Sequence, residues 1–500
     1  MNRPEPHSTV NALRQKLLGK NVNHCLSGLG LISLLGLSSL TGCSSLTPSY
    51  TRPELPVAAQ FGGAAPAALP VSGNDALESA LSLKNTPFAT DPVLKPLLEM
   101  AIANNRDLRV AVLNIELAQA QLGVRQADLL PSVNVGLGGS RQTTASGGLT
   151  SSYTTGLSLT AVPAYEVDLF SRLRNLTDAA RSQYLASEEA RKTVHIGLLA
   201  SVASTLLAWQ SDAALLALTD KTLATREATL KLLQLRFDQG ASSLLDLRAA
   251  QSLMASARIA RAQLQRQQSL DENTLTLLVG QPLPASLLKT GSGSDSLQGW
   301  QLLRWAELPV GLPSQVLLGR PDVAQAEYQL QSANANIGAA RAAFFPKITL
   351  TSTLGRASND LTQLFQNGPM AWSFGAQILQ PIFDAGRNES NLKIAQANRS
   401  IAQAQYEKTV QTAFREVSDG LAGRATLKAQ WDAQAAQTQA EQDRSRLAQL
   451  RYTQGASSYL DALDAERALF TAQQALIQVQ TQYAQNTVSL YRALGGGWAP

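Results

Sequence analysis

The chain contains few of the residues that most often carry chemistry. Among its 500 residues are 2 cysteines and 3 histidines, and aromatic residues make up 5%. Only His195 lies beyond the first 24 residues, which argues against a Cys/His zinc cluster. No glycine-rich strand–turn–helix pattern for phosphate binding and no nucleophile elbow is visible. The sequence therefore predicts a protein that is not an enzyme and that uses no metal or cofactor.

A strong net charge is also missing. The formal charge is +5, and residues 1–42 account for +3 of it because they hold four basic residues and one acidic residue. The remaining excess is small and is spread over 458 residues. Such a weak and dispersed positive charge argues against nucleic acid as a partner.

Residues 1–42 are typical of a secretory signal peptide. A basic start precedes an apolar run at 26–40, which is too short and too rich in serine and glycine to span a membrane as a helix. The run ends in Leu40-Thr41-Gly42-Cys43. This ending resembles a bacterial lipobox, so we expect a covalent lipid on Cys43; a free cysteine in a loop is the alternative. No later stretch is long and apolar enough to predict a membrane-spanning helix.

Cleavage before Cys43 would leave a mature chain with a single cysteine, because Cys25 lies in the removed segment. No disulfide can then form within the chain. Several acyl chains on one residue anchor a protein stably to a bilayer. In lipoproteins that resemble this chain, a non-acidic residue after the cysteine, here Ser44, allows sorting to the outer membrane. Residues 43–90 are accordingly predicted to be a lipid-anchored N-terminal segment on the periplasmic side of that membrane.

Proline is absent from two long windows, residues 164–281 and 382–499, although the chain has 21 prolines. Both windows are rich in Ala, Leu, Gln, Arg and Glu, which favour helices. Each window is interrupted once, near Gly240 and near Gly455, where glycine ends one helix and the following serines begin the next. We therefore predict a helical hairpin in each window; an ordinary helical bundle is the alternative.

The two halves of the chain form a tandem repeat. Residues 235–246 match residues 450–461 at 9 of 12 positions, an offset of 215. The same offset pairs Pro131 with Pro346 and Gly280 with Gly495, among other residues, so the repeat covers most of the chain. After the anchored segment, the predicted organisation is repeat 1 at 91–280, an equatorial linker at 281–320, repeat 2 at 321–495 and a tail at 496–500.

Each repeat also contains a predicted β-hairpin, at 131–168 and at 346–383. In both hairpins, apolar residues alternate with small or polar ones over about ten residues per strand, which fits strands that cross an outer membrane with tilt. Polar or small-residue loops are expected at 141–152 and 356–368. Soluble hairpins are the alternative.

Four strands cannot close a barrel, and an open sheet edge in lipid leaves backbone groups unsatisfied. The chain must therefore assemble with other copies if its strands span a membrane. Two copies supply eight strands, which enclose a filled interior, whereas three supply twelve and leave more room for a channel.

The lengths of the predicted helices agree with one another. Helices at 172–238 and 387–454 would each be about 100 Å long. The shorter helices match that length when they are stacked end to end in pairs; they are predicted at 91–129 with 243–279 and at 314–345 with 457–494. A helical cylinder wall of constant height is therefore predicted beneath the barrel.

Three short segments resemble a known family: Tyr165–Phe170 followed by Arg172, Ala343–Ile348, and Pro381–Arg387. With the lipobox and the repeated hairpins, they resemble the TolC family of outer-membrane efflux proteins, and most of all its lipoprotein branch, the OprM/NodT-like outer membrane factors. The resemblance covers nearly all of residues 44–495. It implies an α+β membrane protein, a homotrimer whose four strands per chain form a 12-stranded outer-membrane β-barrel continuous with a long α-helical periplasmic barrel.

The same resemblance implies a function and partners. Family members form the outer-membrane channel of tripartite efflux systems and passively conduct small molecules such as drugs and toxic compounds. A periplasmic adaptor protein and an inner-membrane RND-type pump dock with the channel. A conduit for type I protein secretion is the alternative within this architecture, and the lipobox mildly disfavours it. A purely structural coiled-coil lipoprotein is the other alternative, and the alternating strands disfavour it.

The second helical turn contains the best candidate site. Asp461 and Asp464 are spaced i, i+3 and so share one helix face. In resembling proteins, acidic residues at this place ring the closed periplasmic aperture, and Tyr452 is retained nearby. Three copies would crowd six carboxylates into one constriction that attracts cations. The alternative is a solvated helix start, where aspartate favours the macrodipole. Repeat 1 keeps Asp246 but has Ala249 opposite Asp464, so the acidic pair is confined to the second hairpin.

The two turns themselves are predicted to form the periplasmic tips and to dock the adaptor. The candidate docking residues are Arg236, Gly240, Leu245, Asp246, Arg451, Gly455 and Leu460. The alternative assigns these residues to the geometry of a helical hairpin alone, because duplication would preserve a good turn without any partner.

Overall fold

The computed structural model describes residues 45–61, 93–146, 150–284, 313–366 and 370–496. The predicted signal peptide, Cys43, most of the linker at 281–320 and most of the tail lie outside the described residues. In chain order the elements are α1 (Leu94–Asn104), α2 (Arg106–Ala127), β1 (Ser132–Ser146), β2 (Thr150–Val167), α3 (Arg172–Asp238), α4 (Leu244–Val279), a 3₁₀ helix (Ser314–Gly319), α5 (Pro321–Ala342), β3 (Lys347–Ser358), α6 (Leu361–Gln366), β4 (Met370–Leu379), α7 (Arg387–Thr453) and α8 (Tyr459–Ala493). The helix–hairpin–long helix–helix order therefore occurs twice, as the repeat predicts.

The predicted helix at 91–129 is wrong in one respect, because α1 and α2 are separate helices that meet at Asn105. The Asn105 side chain caps α2, since its Oδ1 accepts a hydrogen bond from Leu108 N at 2.9 Å. Its Nδ2 donates to Leu278 O at 2.8 Å. One buried amide thus begins α2 with its cap and ties the joint to Leu278 with its tertiary contact.

The same joint occurs in the second repeat. The predicted helix at 314–345 is instead a 3₁₀ helix followed by α5, with Arg320 at the break. Arg320 Nη1 donates to Ala493 O at 2.6 Å. Arg320 and Ala493 follow Asn105 and Leu278 by the repeat offset of 215. The duplication therefore extends to individual tertiary contacts, although the residue that makes the contact has changed from an amide to a cation.

Arg320 is a buried cation, 5% exposed, that two carboxylates neutralise. Its Nη2 lies 2.6 Å from Asp322 Oδ2 and 2.8 Å from Glu416 Oε2, and its Nε donates to Asp322 Oδ1 at 2.9 Å. Burial acts to lower the pKa of the Arg320 guanidinium, but the hydrogen bonds and charges of Asp322 and Glu416 outweigh it and raise that pKa. The joint of the second repeat is therefore held by charge.

The four strands form one antiparallel sheet in the order β1-β2-β3-β4. Residues paired across strands share a face, and the register pairs Val135 with Ala161, Ala161 with Leu354 and Leu354 with Trp372. Apolar residues therefore gather on one face: Val133, Val135, Leu137, Leu159, Ala161, Leu350, Leu354, Trp372, Phe374, Ala376 and Ile378. The other face carries mostly small or polar residues, among them Asn134, Thr160, Thr349, Thr351, Thr353, Ser373 and Gln377.

The apolar face of the sheet is open to its surroundings in the single chain. Val135, Trp372 and Phe374 are 72%, 75% and 64% exposed. A water-soluble sheet covers its apolar face with another layer, whereas a membrane barrel presents that face to lipid. The exposure favours the membrane strands predicted from the alternation over soluble hairpins.

The first three strands are longer than the predicted ten or so residues, whereas β4 has 10 residues as expected. β1 and β2 contain 15 and 18 residues, so the loop expected at 141–152 is wrong: β1 pairs with β2 as far as Ser146 and Thr150. The loop expected at 356–368 is wrong in part, because β3 extends to Ser358 and α6 occupies much of the rest. Glycine, serine and threonine at these positions suggested loops, but pairing with a neighbouring strand overrides the weak preference of single residues.

The chain divides into two compact units. The described parts of residues 1–49, 123–179 and 333–397 form the first unit, which holds the sheet, and those of 50–122, 180–332 and 398–500 form the second. The second unit contains three hydrophobic cores. The first includes Leu97, Leu206, Trp209, Leu275 and Val488, the second includes Phe61, Leu317, Tyr406, Val410 and Val417, and the third includes Leu233, Leu253, Tyr459 and Leu463.

Helix α3 is more apolar than expected from the sequence. It contains an 18-residue segment with a mean hydropathy of 1.2, half of it buried, so by length and composition this helix could cross a membrane. The expectation that no later stretch is apolar enough is therefore wrong on composition. Val202, Leu206 and Trp209 of α3 are buried in the first core, so packing within the chain accounts for apolar residues in this helix.

The N-terminal segment is held by hydrogen bonds in each unit. In the first unit, Ser45 Oγ and Thr47 Oγ1 both donate to Asn175 Oδ1 at 2.9 Å. Gly338 makes room for this contact, because a Cβ at that position would collide with the Thr47 hydroxyl. In the second unit, Arg52 Nε lies 2.9 Å from Glu327 Oε1. Side chains along residues 45–52 thus fix the segment that follows Cys43.

Candidate functional site

The two helical turns have the same backbone geometry. Gly240 and Gly455 have positive φ angles of 72° and 70°, which glycine adopts without a steric penalty. Ala241 N donates to Arg236 O at 2.7 Å, and Ala456 N donates to Arg451 O at 2.8 Å. This is the Schellman pattern that ends a helix. The predicted turns are confirmed, and the Arg236 and Arg451 backbones are part of them.

Serine begins the next helix in both turns, as predicted. Ser243 Oγ accepts from Asp246 N at 3.1 Å, and Ser458 Oγ accepts from Asp461 N at 3.3 Å. The Asp461 carboxylate also accepts from Ser458 N at 3.2 Å, which completes a capping box. Asp246 and Asp461 therefore have a structural role at the start of α4 and α8. For these two residues, this supports the alternative in which aspartate serves the start of a helix.

Asp464 differs from Asp461 in its contacts. Its Oδ1 lies 3.5 Å from Arg467 Nη1, and the two side chains are 54% and 46% exposed. An exposed ion pair of this kind contributes about 0–1 kcal/mol, so Asp464 is not needed to hold the helix. Of the two predicted aperture carboxylates, Asp464 is the one without a strong structural role. Arg467 was not among the predicted site residues, although its i, i+3 spacing from Asp464 is visible in the sequence.

The structure joins the two turns through Tyr452. Arg236 Nη1 donates to Tyr452 OH at 2.8 Å, so a predicted docking residue of the first hairpin binds a predicted aperture residue of the second. The Tyr452 ring lies 5.5 Å from the Tyr459 ring, with an interplanar angle of 55°. Burial, followed by the charge of Glu466, raises the pKa of Tyr459 to about 12. Tyr459 was missed because a tyrosine at a helix start has no distinctive sequence signal.

Leucines project from both tips. Leu245 is 78% exposed and Leu460, which follows it by the repeat offset, is 56% exposed. Leu235 and Leu450, one turn before the glycines, are 55% and 49% exposed. Four exposed leucines thus lie close to the two turns, and clustered exposed apolar side chains are typical of surfaces that bind another protein. Arg451, the remaining predicted docking residue, is also exposed.

A buried arginine supports the tips from within. Arg226 is 7% exposed and its Nη1 donates to Leu253 O at 3.0 Å. Its Cζ lies 5.1 Å from the centre of the Phe470 ring. Burial lowers the pKa of Arg226 and raises the pKa of Glu466, and the attraction between these two charges opposes both shifts. Charged residues of both hairpins are thus packed together behind the exposed turns.

His195, the histidine singled out by its isolation in the sequence, lines a cavity of about 500 Å³ beside the joint between α1 and α2. Arg106, Arg109 and Arg191 also line it. Burial, followed by the charge of Arg191, lowers the pKa of His195, so its imidazole is neutral at neutral pH. Within the described ranges, no group of three or more His, Cys, Asp or Glu side chains could hold a metal ion.

Comparison with known proteins places the chain among outer-membrane channels. A sequence model of the family described as outer membrane efflux protein matches residues 97–281 and again residues 312–496. The toluene efflux pump outer membrane protein TtgC of Pseudomonas putida is 45% identical over 475 residues, which cover 94% of this chain and 96% of the relative. The antibiotic efflux pump outer membrane protein ArpC, also of Pseudomonas putida, has the same identity and coverage.

A solved structure supports the same placement. The open state of the MtrE outer membrane channel of Neisseria gonorrhoeae matches with a TM-score of 0.75 at 33% identity, over 91% of this chain and 98% of that one. The two matches to the family model are themselves separated by 215 residues, which is the repeat offset found in the sequence.

Proposed function

The chain belongs to the outer membrane efflux protein family, and from that membership we propose that three copies form a lipid-anchored channel for small organic compounds. It is the outer-membrane channel component of an efflux pump and not an enzyme.

The main support for a trimer comes from the two edges of the sheet. β1 and β4 are its edges, since each pairs with one strand among those described. Open edges in lipid leave backbone N–H and C=O groups without partners, and β1 of one copy can pair with β4 of the next. Three copies supply twelve strands, whose small and polar face would line the channel while the apolar face meets lipid.

Two helices support assembly with apolar stripes that the single chain leaves exposed. On α2, Val110, Leu113 and Leu117 are 55%, 50% and 56% exposed; on α7, Ile394 and Ile401 are 57% and 66% exposed. Spacings of three, four and seven residues place each set on one helix face. Helices with such stripes bury them against other helices, and neighbouring copies of this chain would provide those helices.

The fixed N-terminal segment supports the anchor at Cys43. Ser45 and Thr47 are bound to Asn175 in the unit that holds the sheet. The thiol of Cys43 is two residues from the first of these contacts, so a lipid there would stay close to the unit that carries the proposed membrane strands. The protein would then contact outer-membrane lipid in two ways, through the acyl chains on Cys43 and through the apolar face of the sheet.

Small organic compounds are the proposed cargo. Relatives with 45% identity along almost the whole chain are named for the export of toluene and of antibiotics, which favours small-molecule efflux over type I protein secretion. The channel would conduct passively what an inner-membrane RND-type pump and a periplasmic adaptor deliver. The adaptor would dock on the tips at Arg236, Gly240, Leu245, Asp246, Arg451, Gly455 and Leu460, where the exposed leucines supply apolar area.

Deletion of the gene in its host tests the cargo. We expect the deletion strain to become sensitive to toluene and to hydrophobic antibiotics, with an unchanged set of secreted proteins. Wild-type protein should restore resistance. The lipid anchor is tested separately with labelled palmitate: Cys43→Ser should fold without taking up the label, whereas Cys25→Ser should still take it up. A deletion that alters secreted proteins and leaves drug sensitivity at the wild-type level would favour the secretion conduit.

Asp464 is proposed to narrow the aperture together with Tyr452, and Asp461 to contribute charge while it caps α8. Asp464→Ala should raise single-channel conductance severalfold in planar bilayers and should weaken block by divalent cations, because three carboxylates leave the constriction. Asp464 is the better target because Asp461→Ala would also break the capping box.

Asp432→Ala is the matched control for this measurement. Asp432 is an exposed acid on α7 that pairs with Lys428, and its loss should leave conductance unchanged. Wild-type conductance and wild-type cation block in Asp464→Ala would remove Asp464 from the aperture.

A further inference from the structure

Two aspartates face each other inside the first helical hairpin. Asp212 of α3 precedes Gly240 by 28 residues, and Asp271 of α4 follows Ser243 by 28 residues, so both lie about 42 Å from the turn. Asp271 is 8% exposed, and its Oδ1 accepts from Gln267 Nε2 at 3.2 Å. Its carboxyl is within hydrogen-bonding reach of the Asp212 carboxyl.

One oxygen of this pair lacks a donor. Asp271 Oδ2 is buried and receives no hydrogen bond from any nitrogen or hydroxyl group in the described part of the chain. Two ionised carboxylates can only accept hydrogen bonds, so neither can donate to the other. Their negative charges also repel each other when they are in contact. A single proton held between them removes the repulsion and supplies the missing donor.

Nearby hydrogen-bond donors on α3 and α8 are engaged with other groups, so they do not relieve the repulsion between the two carboxylates. On α3, Trp209 Nε1 donates to Glu272 Oε1 of α4 at 3.1 Å, so the nearby indole is already engaged with a different carboxylate. Thr481 of α8 donates to Ser211 at 2.8 Å. The charge that acts on Asp212 is that of Asp271. Burial, the hydrogen bond with Asp271 and that charge raise the pKa of Asp212 to about 7.

The second repeat shows that the fold does not require these carboxylates. The residues 215 positions later are Leu427 and Asn486. Asn486 Nδ2 donates to Gly420 O at 2.9 Å, so an amide in the place of Asp271 joins the corresponding two helices, α7 and α8, with a neutral hydrogen bond. The acidic pair is therefore a feature of the first hairpin alone, in a position where the duplicated half is neutral.

We propose that Asp212 and Asp271 share one proton and form a pH-sensitive latch that holds α3 to α4 in the first hairpin. Loss of the proton leaves two negative charges in contact in a half-buried site and loosens that hairpin, while the second hairpin, with Leu427 and Asn486, does not respond. This device does not depend on the number of copies or on the identity of the exported compound.

The direction of the pH effect follows from the raised pKa of Asp212. A carboxyl whose pKa is higher in the folded chain than in the unfolded chain stabilises the fold in its protonated form. That contribution is complete below the ordinary aspartate pKa of 3.8 and is lost as pH rises towards about 7. Opening of the hairpin at the pair should grow by up to about tenfold for each pH unit in that interval and should level off above it.

Hydrogen–deuterium exchange of the purified full-length protein in nanodiscs tests the latch. Rates are measured at pH 5, 7 and 9 and are corrected for the intrinsic pH dependence of amide exchange. In wild type, peptides of α3 and α4 around the pair should open at least tenfold more at pH 7 than at pH 5, and little more at pH 9. Peptides around Leu427 and Asn486 should show no such change.

Two variants and one control decide the outcome. Asp271→Asn copies the residue of the second repeat and should abolish the pH dependence, as should Asp212→Asn. Both should remove an infrared band of a protonated carboxyl that wild type shows at pH 6. Asp220→Asn is the control, since Asp220 is an exposed partner of Arg261 between the same two helices, and it should behave as wild type. Wild-type pH dependence in Asp271→Asn and Asp212→Asn would overturn the proposal.

Discussion

The Arg320→Met protein is expected to be less stable than wild type by about 3 kcal/mol, the lower end of the range for breaking a buried ion pair. Methionine leaves the Ala493 carbonyl without its donor and Asp322 without the Arg320 cation, while Glu416 keeps only the long contact of 4.0 Å with Arg492 among the described residues. The estimate is at the lower end because the side chains of Asp322 and Glu416 are 30% and 26% exposed, so water offsets part of the loss. The rate of thermal unfolding of the purified protein measures the effect.

Arg261→Met is the matched control for Arg320. Arg261 pairs with Asp220 at 2.7 Å, but both side chains are about half exposed, so its loss should cost about 0–1 kcal/mol. Arg320→Lys should fall between the two, because an ammonium group cannot make the two-pronged contact with Asp322. Equal unfolding rates in Arg320→Met and Arg261→Met would show that the joint of the second repeat does not depend on charge.

Gly280→Ala should destabilise the chain by about 3 kcal/mol, since backbone strain and a steric collision act together. Gly280 ends α4 with a φ angle of 76°, which disfavours any side chain. A Cβ there would also collide with the backbone carbonyl of Asn104, and that carbonyl cannot move without disturbing the Asn105 joint. Thermal unfolding and the exchange rates of α1 amides should both report the loss.

Gly240→Ala separates strain from collision. Gly240 has almost the same φ angle, 72°, but a Cβ there would meet nothing within 4 Å. Its substitution should therefore cost only the conformational penalty of about 1–2 kcal/mol. If Gly240→Ala and Gly280→Ala unfold at the same rate, the close approach of Gly280 to Asn104 does not contribute to stability.

The parts of the fold that could be predicted have local signals. The start and end of α3 follow from the absence of proline between residues 164 and 281 and from Gly240. The backbone geometry at Gly240 and Gly455 depends on only a few consecutive residues, so the two turns were predicted correctly. The alternation within each strand was visible for the same reason.

The joints at Asn105 and Arg320 could not be predicted because their partners are distant in sequence. Asn105 binds Leu278 and Arg320 binds Ala493, each 173 residues away. An asparagine or an arginine inside a helical pattern gives no sign of such a contact. Strand lengths failed for a related reason, since a serine-rich or threonine-rich segment becomes a strand only when a neighbour pairs with it.

The candidate site was predicted in part. Asp461 and Asp464 were found by their spacing, but only their contacts separate the capping role of Asp461 from the weak ion pair of Asp464. The hydrogen bond between Arg236 and Tyr452 joins two residues that are 216 positions apart in the sequence. The Asp212–Asp271 pair was invisible because it needs both the facing of two helices and the burial of one carboxylate.

The two edges of the sheet, each paired with one strand among those described, would have a genetic consequence in the assembly of several copies that we propose. When several copies form one barrel wall, a defect in one copy affects every channel that contains that copy. When a wild-type and a damaged allele are expressed together, most channels would contain at least one damaged wall segment. Mutations that spare assembly but spoil the pore should therefore be dominant, whereas those that prevent both β1 and β4 from pairing should be recessive.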